Sequence, residues 1–317
     1  MPPPIVLDAG AVRARCTPDV AVDALEAALR AGLDPSTDTP RIPVGLEHGQ
    51  FLLMPSQTGG ADAGHVGAKI VTVAPDNPAV GLPRIQASYL LFDRTTLSLR
   101  AILDGIALTN LRTPAVSIAA ARSVLAARTG PLRMVVVGAG PQAIGHVATV
   151  RAALAERPLA DLCHLVRDPT RVPDGLDPDA EVVRLGTDGA ADRLRTAELV
   201  VCATSAREPL FDSDLLGDRA VVVAMGSHEP DAREVDARLC ARATVIVEDV
   251  AAAQREAGDV VMAIDEGALA ASDLVTMRDA VDGSATIDAD RPVFFKGVGM
   301  SWEDLVVAEA VMAGGEA

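Results

Sequence analysis

The chain has 317 residues, enough for about two domains and a large core, and carries a formal net charge of −16. That charge argues against nucleic-acid or anionic-membrane partners, and because it is scattered it reads as a solvated surface. With five Phe, one Tyr and one Trp, the core must be built from Ala, Val, Leu and Ile. The opening MPPPIVLDAG has neither a basic nor an extended apolar region, so it is not expected to act as a signal peptide, and residues 3–8 within it predict a first short strand. Residues 18–31 carry apolar positions at helical spacing and end at Gly32, a C-cap. A polar turn leads to Arg41. Short pieces rich in Val, Ile and Leu follow at 41–47, 50–56, 65–75, 85–93 and 97–105, parted by Gly, Pro, Asn and Asp. They predict a mostly antiparallel sheet, and residues 106–127 then form a long Ala-rich helix.

From residue 134 the pattern alternates strand and helix. MVVVGAGPQAIGHVATVRAAL (134–154) begins with a buried parallel strand, turns at Gly138, Gly140 and Ala143 in the spacing G-x-G-x-x-A, and opens a helix. Gly138 permits the tight turn, Gly140 lets backbone approach a pyrophosphate, and small Ala143 allows close helix–strand packing. Strand, turn and helix in this order predict a dinucleotide site. Strands at 162–167, 181–185, 198–204, 220–226 and 243–249 and a helix near 188–196 extend the series, and 293–300 and 302–313 close the chain as strand, Gly turn and helix. The fold class is therefore α/β, a Rossmann-type domain plus a mostly antiparallel α+β domain. The second strand ends in Val166-Arg167-Asp168-Pro169-Thr170. Asp168 would hold the ribose hydroxyls of NAD, whereas Arg167, helped by Thr170 and Arg171, would pair with the 2′-phosphate of NADP. The cofactor stays open between NAD and NADP, with the balance slightly toward NADP because Arg167 stands where the acid normally is.

Cys16, Cys163, Cys202 and Cys240 lie far apart without a C-x-x-C pair, which suggests inert thiols in a reducing compartment. No apolar run reaches membrane-spanning length, so the expected location is the cytoplasm. The histidines, His48, His65, His146, His164 and His228, show no metal-ligand spacing, and no metal is expected.

The motifs VGAKIVTVAPDNP (66–78), GLPRIQASYLLFDRTTLSLRAILDG (81–105), LTNLRTPAVSIAAA (108–121), VVVGAGPQA (135–143), GSHEPDAREVD (226–236) and FFKGVGMSWEDL (294–305) occur in order. Through them the chain resembles the ornithine cyclodeaminase and mu-crystallin family over nearly its whole length. The resemblance implies a substrate-binding and dimerising domain from 1–115 with 302–317, a Rossmann-type domain from 116–301, and a homodimer. The shared step it implies is hydride transfer between an amino-acid Cα and a nicotinamide. It assigns Arg41, Lys69 and Arg112 to the substrate carboxylate. Chemistry supports this, since Arg offers a bidentate fork and Lys69 is a charge inside the apolar run AKIVTV. Burial beside other cations would also lower the Lys69 pKa and fit it to protonate an imine. On the cofactor side the resemblance points to Thr113 and Gln142 at the phosphates, Ala203, Thr204 and Ser205 along the dinucleotide, and Gly226 and Val298 near the nicotinamide.

One departure bears on function. Cyclodeaminases and some dehydrogenases of the family carry Asp where this chain has His228. A carboxylate suits the handling of ammonium groups, while an imidazole is a poor holder of ammonium but a competent proton shuttle. The expected activity is thus a cyclic ketimine reductase or amino-acid dehydrogenase on a small amino or imino acid, with Lys69 and His228 as the catalytic candidates. An ornithine or lysine cyclodeaminase is the alternative, and a cofactor-dependent binding protein of the mu-crystallin type is the third.

Overall fold

The computed structural model describes residues 3–58 and 64–315. The chain divides into two compact units, Met1–Thr113 with Met300–Ala317, and Pro114–Gly299.

In the first unit β1 (Ile5–Leu7), α1 (Ala9–Arg15) and α2 (Pro18–Arg30) precede β2 (Ile42–Leu46), β3 (Gly49–Gln57), β4 (His65–Val73), β5 (Ile85–Asp93) and β6 (Leu99–Asp104). The sheet order is β1-β6-β5-β4-β3-β2, with β1 parallel to β6 and every other pair antiparallel, so the mostly antiparallel expectation holds. Helix α1 went unread in the sequence. It starts where the Asp8 side chain accepts from Ala11 N at 2.8 Å, an N-cap that a seven-residue helix without a long apolar period does not advertise. Alternation along β4 buries Gly67, Lys69 and Val71 on one face, in line with Tyr89 and Leu91 of β5 and Ala101 and Leu103 of β6. Register puts Met54, Lys69, Tyr89 and Leu103 in one row across the sheet. Ile42 opposes Leu53, so Arg41, one residue earlier, stands at the end of that row. The following helix, α3 (Gly105–Ala126), carries Thr109 and Arg112 on its first two turns.

The second unit contains β7 (Leu132–Val137), α4 (Pro141–Ala153), β8 (Leu159–Val166), β9 (Glu181–Arg184), α5 (Asp188–Thr196), β10 (Leu199–Cys202) and β11 (Val221–Ala224). It continues through α6 (Ala237–Arg242), β12 (Thr244–Val247), α7 (Val250–Glu256), α8 (Gly258–Asp265), β13 (Val275–Thr276), α9 (Met277–Asp282) and β14 (Val293–Lys296). All pairings are parallel in the order β13-β12-β14-β11-β10-β7-β8-β9. Strands β10, β11 and β14 are buried along their length, as expected of a sheet covered on both faces. Strand order reverses between β7 and β10, and at such a switch point a Rossmann-type sheet opens a crevice beyond its carboxyl ends. The chain then closes on α10 (Ser301–Ala313), which belongs to the first unit.

The four cysteines are free and buried, and burial pushes the thiols of Cys16 and Cys163 up to about 11, that of Cys240 to about 12 and that of Cys202 well above its usual range. Thiols so desolvated are poor nucleophiles at neutral pH. Among the described residues no helix is long and apolar enough to cross a membrane.

Candidate active site

In the second unit a cleft of about 870 Å³ lies at the carboxyl ends of the strands, lined among others by Gly138, Arg167, Asp168, Arg171, Ala203 and Thr204. Gly138 has φ +122°, and a Cβ there would stand 2.6 Å from Ala203 O, so only glycine makes this turn without strain. Gly140 is the N-cap of α4, and a Cβ on it would enter open space. The first N–H groups of α4 thus stand behind a surface with no side chain, which is what an approaching pyrophosphate requires. Ala143 is fully buried, where small size allows the close helix–strand packing of such a turn. Gln142 sits on the first turn of α4, and its carbonyl faces His146 Nδ1 at 2.7 Å. Burial lowers the His146 pKa to about 4, so that ring is a neutral part of the packing. His164 Nδ1 lies 2.9 Å from Gly138 O and, neutral through burial, steadies the turn from behind.

At the end of β8 the Asp168 carboxylate accepts from Thr170 Oγ1 at 2.8 Å and Thr170 N at 3.1 Å, and these bonds hold it below the usual carboxylate range. Arg184 approaches it at 4.0 Å. Arg167 and Arg171 line the same stretch of cleft. On the other side of the switch point, Ala203 and Thr204 follow β10 and Gly226 follows β11. Val298 is buried in the loop after β14, where the fully buried Glu248 accepts from Val298 N at 2.8 Å and Gly299 N at 2.9 Å. His228 is exposed on the loop after Gly226.

The first unit holds a buried charge cluster. Lys69 Nζ donates to Asp304 Oδ2 at 2.7 Å and lies 3.4 Å from Thr109 Oγ1. Arg112 Nη1 donates to Glu303 Oε2 at 2.8 Å, and its Nε reaches Asp304 Oδ1 at 3.4 Å. All four side chains are buried, so two cations face two carboxylates with little water between them. Desolvation lowers the Lys69 pKa to about 8, with Arg112 adding to the fall while Asp304 and Glu303 oppose it. Tyr89, beside Lys69 in the row, is pushed well above its usual range by burial and then by the charge of Asp304. Asp38 caps α10 by accepting from Trp302 N at 2.9 Å, which fixes the turn carrying Glu303 and Asp304. Arg41 is half-buried at the edge of this row and Thr113 is buried on α3. A buried ammonium with a pKa close to neutrality, beside a guanidinium, is equipped to bind a carboxylate and hand over a proton. Among the described residues no group of His, Cys, Asp and Glu could hold a metal ion.

Residues 4–314 match the family model described as the ornithine cyclodeaminase/mu-crystallin family. The chain belongs to that family. It is 31% identical over 273 residues to the Δ1-pyrroline-2-carboxylate reductase 1 of Burkholderia multivorans, covering 80% of each chain. It is 27% identical over 270 residues to the ketimine reductase mu-crystallin of Mus musculus, with 85% of this chain and 82% of that one aligned. Among solved structures it resembles the Δ1-pyrroline-2-carboxylate reductase of Thermococcus litoralis in complex with NADH and L-proline. There the TM-score is 0.83 and the identity 21%, over 98% of this chain and 97% of that one. At that identity the likeness establishes the shared fold.

Within this family member, the sequence singled out Lys69 and Arg112 but not their partners Glu303 and Asp304. A signal was present. The two acids stand inside the apolar stretch WEDLVVAEAV, where a carboxylate is costly unless paired. Which cation each would meet, some 190 to 235 positions away, was not readable.

Proposed function

We propose that the chain is an NAD(P)H-dependent reductase of a small cyclic imino acid of the pyrroline-2-carboxylate or piperideine-2-carboxylate kind. The observation that carries this reading is the buried Lys69–Arg112 pair with Lys69 held near a pKa of about 8. Relatives named as reductases of such imines support it. The residues of the glycine turn fit a dinucleotide: Gly138 admits no side chain, Gly140 opens the helix end, and the cleft is large enough. Bound there, the nicotinamide supplies the hydride that reduces the C=N bond. Arg41 and Arg112 fix the substrate carboxylate, and Lys69 completes the clamp and donates the proton that the imine nitrogen takes up. Two cations face two carboxylates before substrate binds, and passing a proton from Lys69 to the imine nitrogen leaves the total charge of the site unchanged while making the iminium that takes the hydride. His228, exposed on its loop, passes protons to and from solvent. With an imidazole where cyclodeaminases carry Asp, the reductase reading is preferred over ammonia release. Mixing the protein with NADPH or NADH and pyrroline-2-carboxylate tests it: rapid loss of absorbance at the reduced nicotinamide band is expected. Ammonia release from ornithine with only catalytic amounts of oxidised cofactor would contradict it.

Our reading of the cofactor is NADP(H). Asp168 is occupied by Thr170 and faced by Arg184, while Arg167 and Arg171 line the same end of the cleft. Arg167→Ala is therefore expected to raise KM for NADPH about tenfold, the cost of one charge-assisted phosphate contact, and to leave KM for NADH nearly unchanged. Equal effects on both cofactors would contradict the assignment.

The protein works as a cytoplasmic homodimer in this account. Support comes from the free, separated cysteines and from the second face of the first unit's sheet, where Ile42, Val44 and Leu46 of edge strand β2 are 47%, 40% and 47% exposed. Sedimentation should give twice the chain mass, and Val44→Glu should shift it toward the monomer.

A further inference from the structure

Beneath the rim of the cleft beyond the switch point lies a buried ionic group that meets the cleft wall from behind, through Thr204. Glu234 is 0% exposed, and Asp259 and Lys296 are each 1% exposed. Glu234 Oε1 accepts from Thr204 N at 2.9 Å and Thr204 Oγ1 at 2.6 Å, and its Oε2 accepts from Gly226 N at 2.7 Å. One carboxylate therefore ties together the residues that follow β10 and β11. The fit is tight, since a Cβ on Gly226 would stand 1.8 Å from Thr204 O and 2.7 Å from Glu234 Oε1. Asp259 holds the strap from the next layer, its Oδ1 accepting from Glu234 N at 2.7 Å and Val235 N at 2.9 Å. Lys296, at the end of β14, donates to Ser227 O at 2.6 Å and pairs with Asp259 Oδ2 at 3.1 Å. Three neighbouring strand ends are thus fixed by three charges with no water-exposed atom among them.

Isolated buried charges are costly, and this one exceeds pairing, with two carboxylates against one ammonium. Burial holds the Glu234 carboxyl above its usual range, with the charge of Asp259 adding to the rise while Lys296 and the bonds from Thr204 and Gly226 oppose it. Its oxygens meet only donors, which is the pattern of an ionised acceptor. A plain core would fill this space with apolar side chains at no such cost. What the arrangement adds is rigidity in the backbone at 203–206 and 225–228. In a Rossmann-type sheet the two nucleotide halves lie on opposite sides of the switch point. Arg167 and Asp168 after β8 are on the adenosine side, so the ends of β10 and β11 serve the nicotinamide half.

We infer that Glu234, braced by Asp259 and Lys296, is a positioning residue that holds the nicotinamide half of the cofactor site in its binding geometry. This rests on the reading of the cleft as a dinucleotide site. The test compares the parent with Glu234→Gln, which keeps size but sets an amide N–H₂ against a backbone N–H, and with Lys296→Met, which leaves both carboxylates in place. For each, calorimetric Kd values are measured for the tighter-binding of NADPH and NADH and for the matching adenosine half, 2′,5′-ADP or AMP. The expected result is a rise of about tenfold or more in Kd for the whole dinucleotide in both variants, from one lost buried hydrogen-bond set, with the adenosine half unchanged within about twofold. Equal weakening of both ligands would mean a general structural role and would overturn the assignment, as would no weakening of either. Failure of the parent to bind any of the four probes would overturn the reading of the cleft, and the assignment with it.

Discussion

Lys69→Met is expected to lower kcat/KM on a cyclic imine by about three orders of magnitude, the range of a lost general acid combined with a lost carboxylate contact. The same change strips the buried Asp304 of its 2.7 Å partner and leaves the 3.4 Å contact with Arg112. Breaking a buried pair in this way costs about 3–5 kcal/mol, so thermal unfolding should move down in parallel. The variant separates the two effects, because substrate-independent cofactor binding should survive. A pH profile gives the complementary readout. The proton donor must be charged, so kcat should fall as pH rises through the Lys69 pKa of about 8. Asp304 is the strongest influence holding that value up, against the downward pull of burial and Arg112. Glu303 on the same turn of α10, Thr109 on α3 and Tyr89 on β5 are the other groups around the ammonium. Asp304→Asn should accordingly move the alkaline limb to lower pH. A limb that stays in place in that variant would remove Lys69 from the role of proton donor.

Gly138→Val is expected to abolish dinucleotide binding at concentrations a hundredfold above the parent Kd. A β-branched residue at φ +122° is strained by about 1–3 kcal/mol on its own. Its Cβ would also stand 2.6 Å from Ala203 O, so either the turn or the end of β10 must move. Both lie on the cleft wall, and a displaced wall loses the close backbone approach that a pyrophosphate needs. Titration calorimetry reads the outcome directly. Binding within about tenfold of the parent would show that the turn does not carry the phosphates.

The Rossmann-type turn was legible because its chemistry is local. Four apolar residues, two glycines at fixed offsets and an opening helix lie within about a dozen positions, and each has one mechanical reason to be there. Most strands of both sheets were legible for the same reason, through runs of Val, Ile and Leu cut by turn residues, although β8 begins at Leu159 rather than at 162 and the two-residue β13 went unread. Short helices escaped. Helix α1 and the helices α6 to α9 are six to eight residues long, too short for the apolar period to separate them from loops. The charge cluster was half legible. Lys69 stood out as a cation in an apolar run, but its pairing with Asp304 spans 235 positions and depends on tertiary packing. Glu234 stands within the polar motif GSHEPDAREVD, which carries no local sign of burial. Only the fold shows that it is fully buried under Thr204 and Gly226.

The central claim is hydride transfer from a bound nicotinamide to the Cα of a cyclic imino acid. The most direct measurement supplies reduced cofactor deuterated at the transferred C4 position, with pyrroline-2-carboxylate, and determines the mass and position of label in the product by NMR. The account predicts proline carrying one deuterium at Cα for each cofactor oxidised, formed about a thousandfold more slowly by Lys69→Met. Unlabelled proline, or turnover of ornithine to proline and ammonia with no net cofactor consumption, would contradict it.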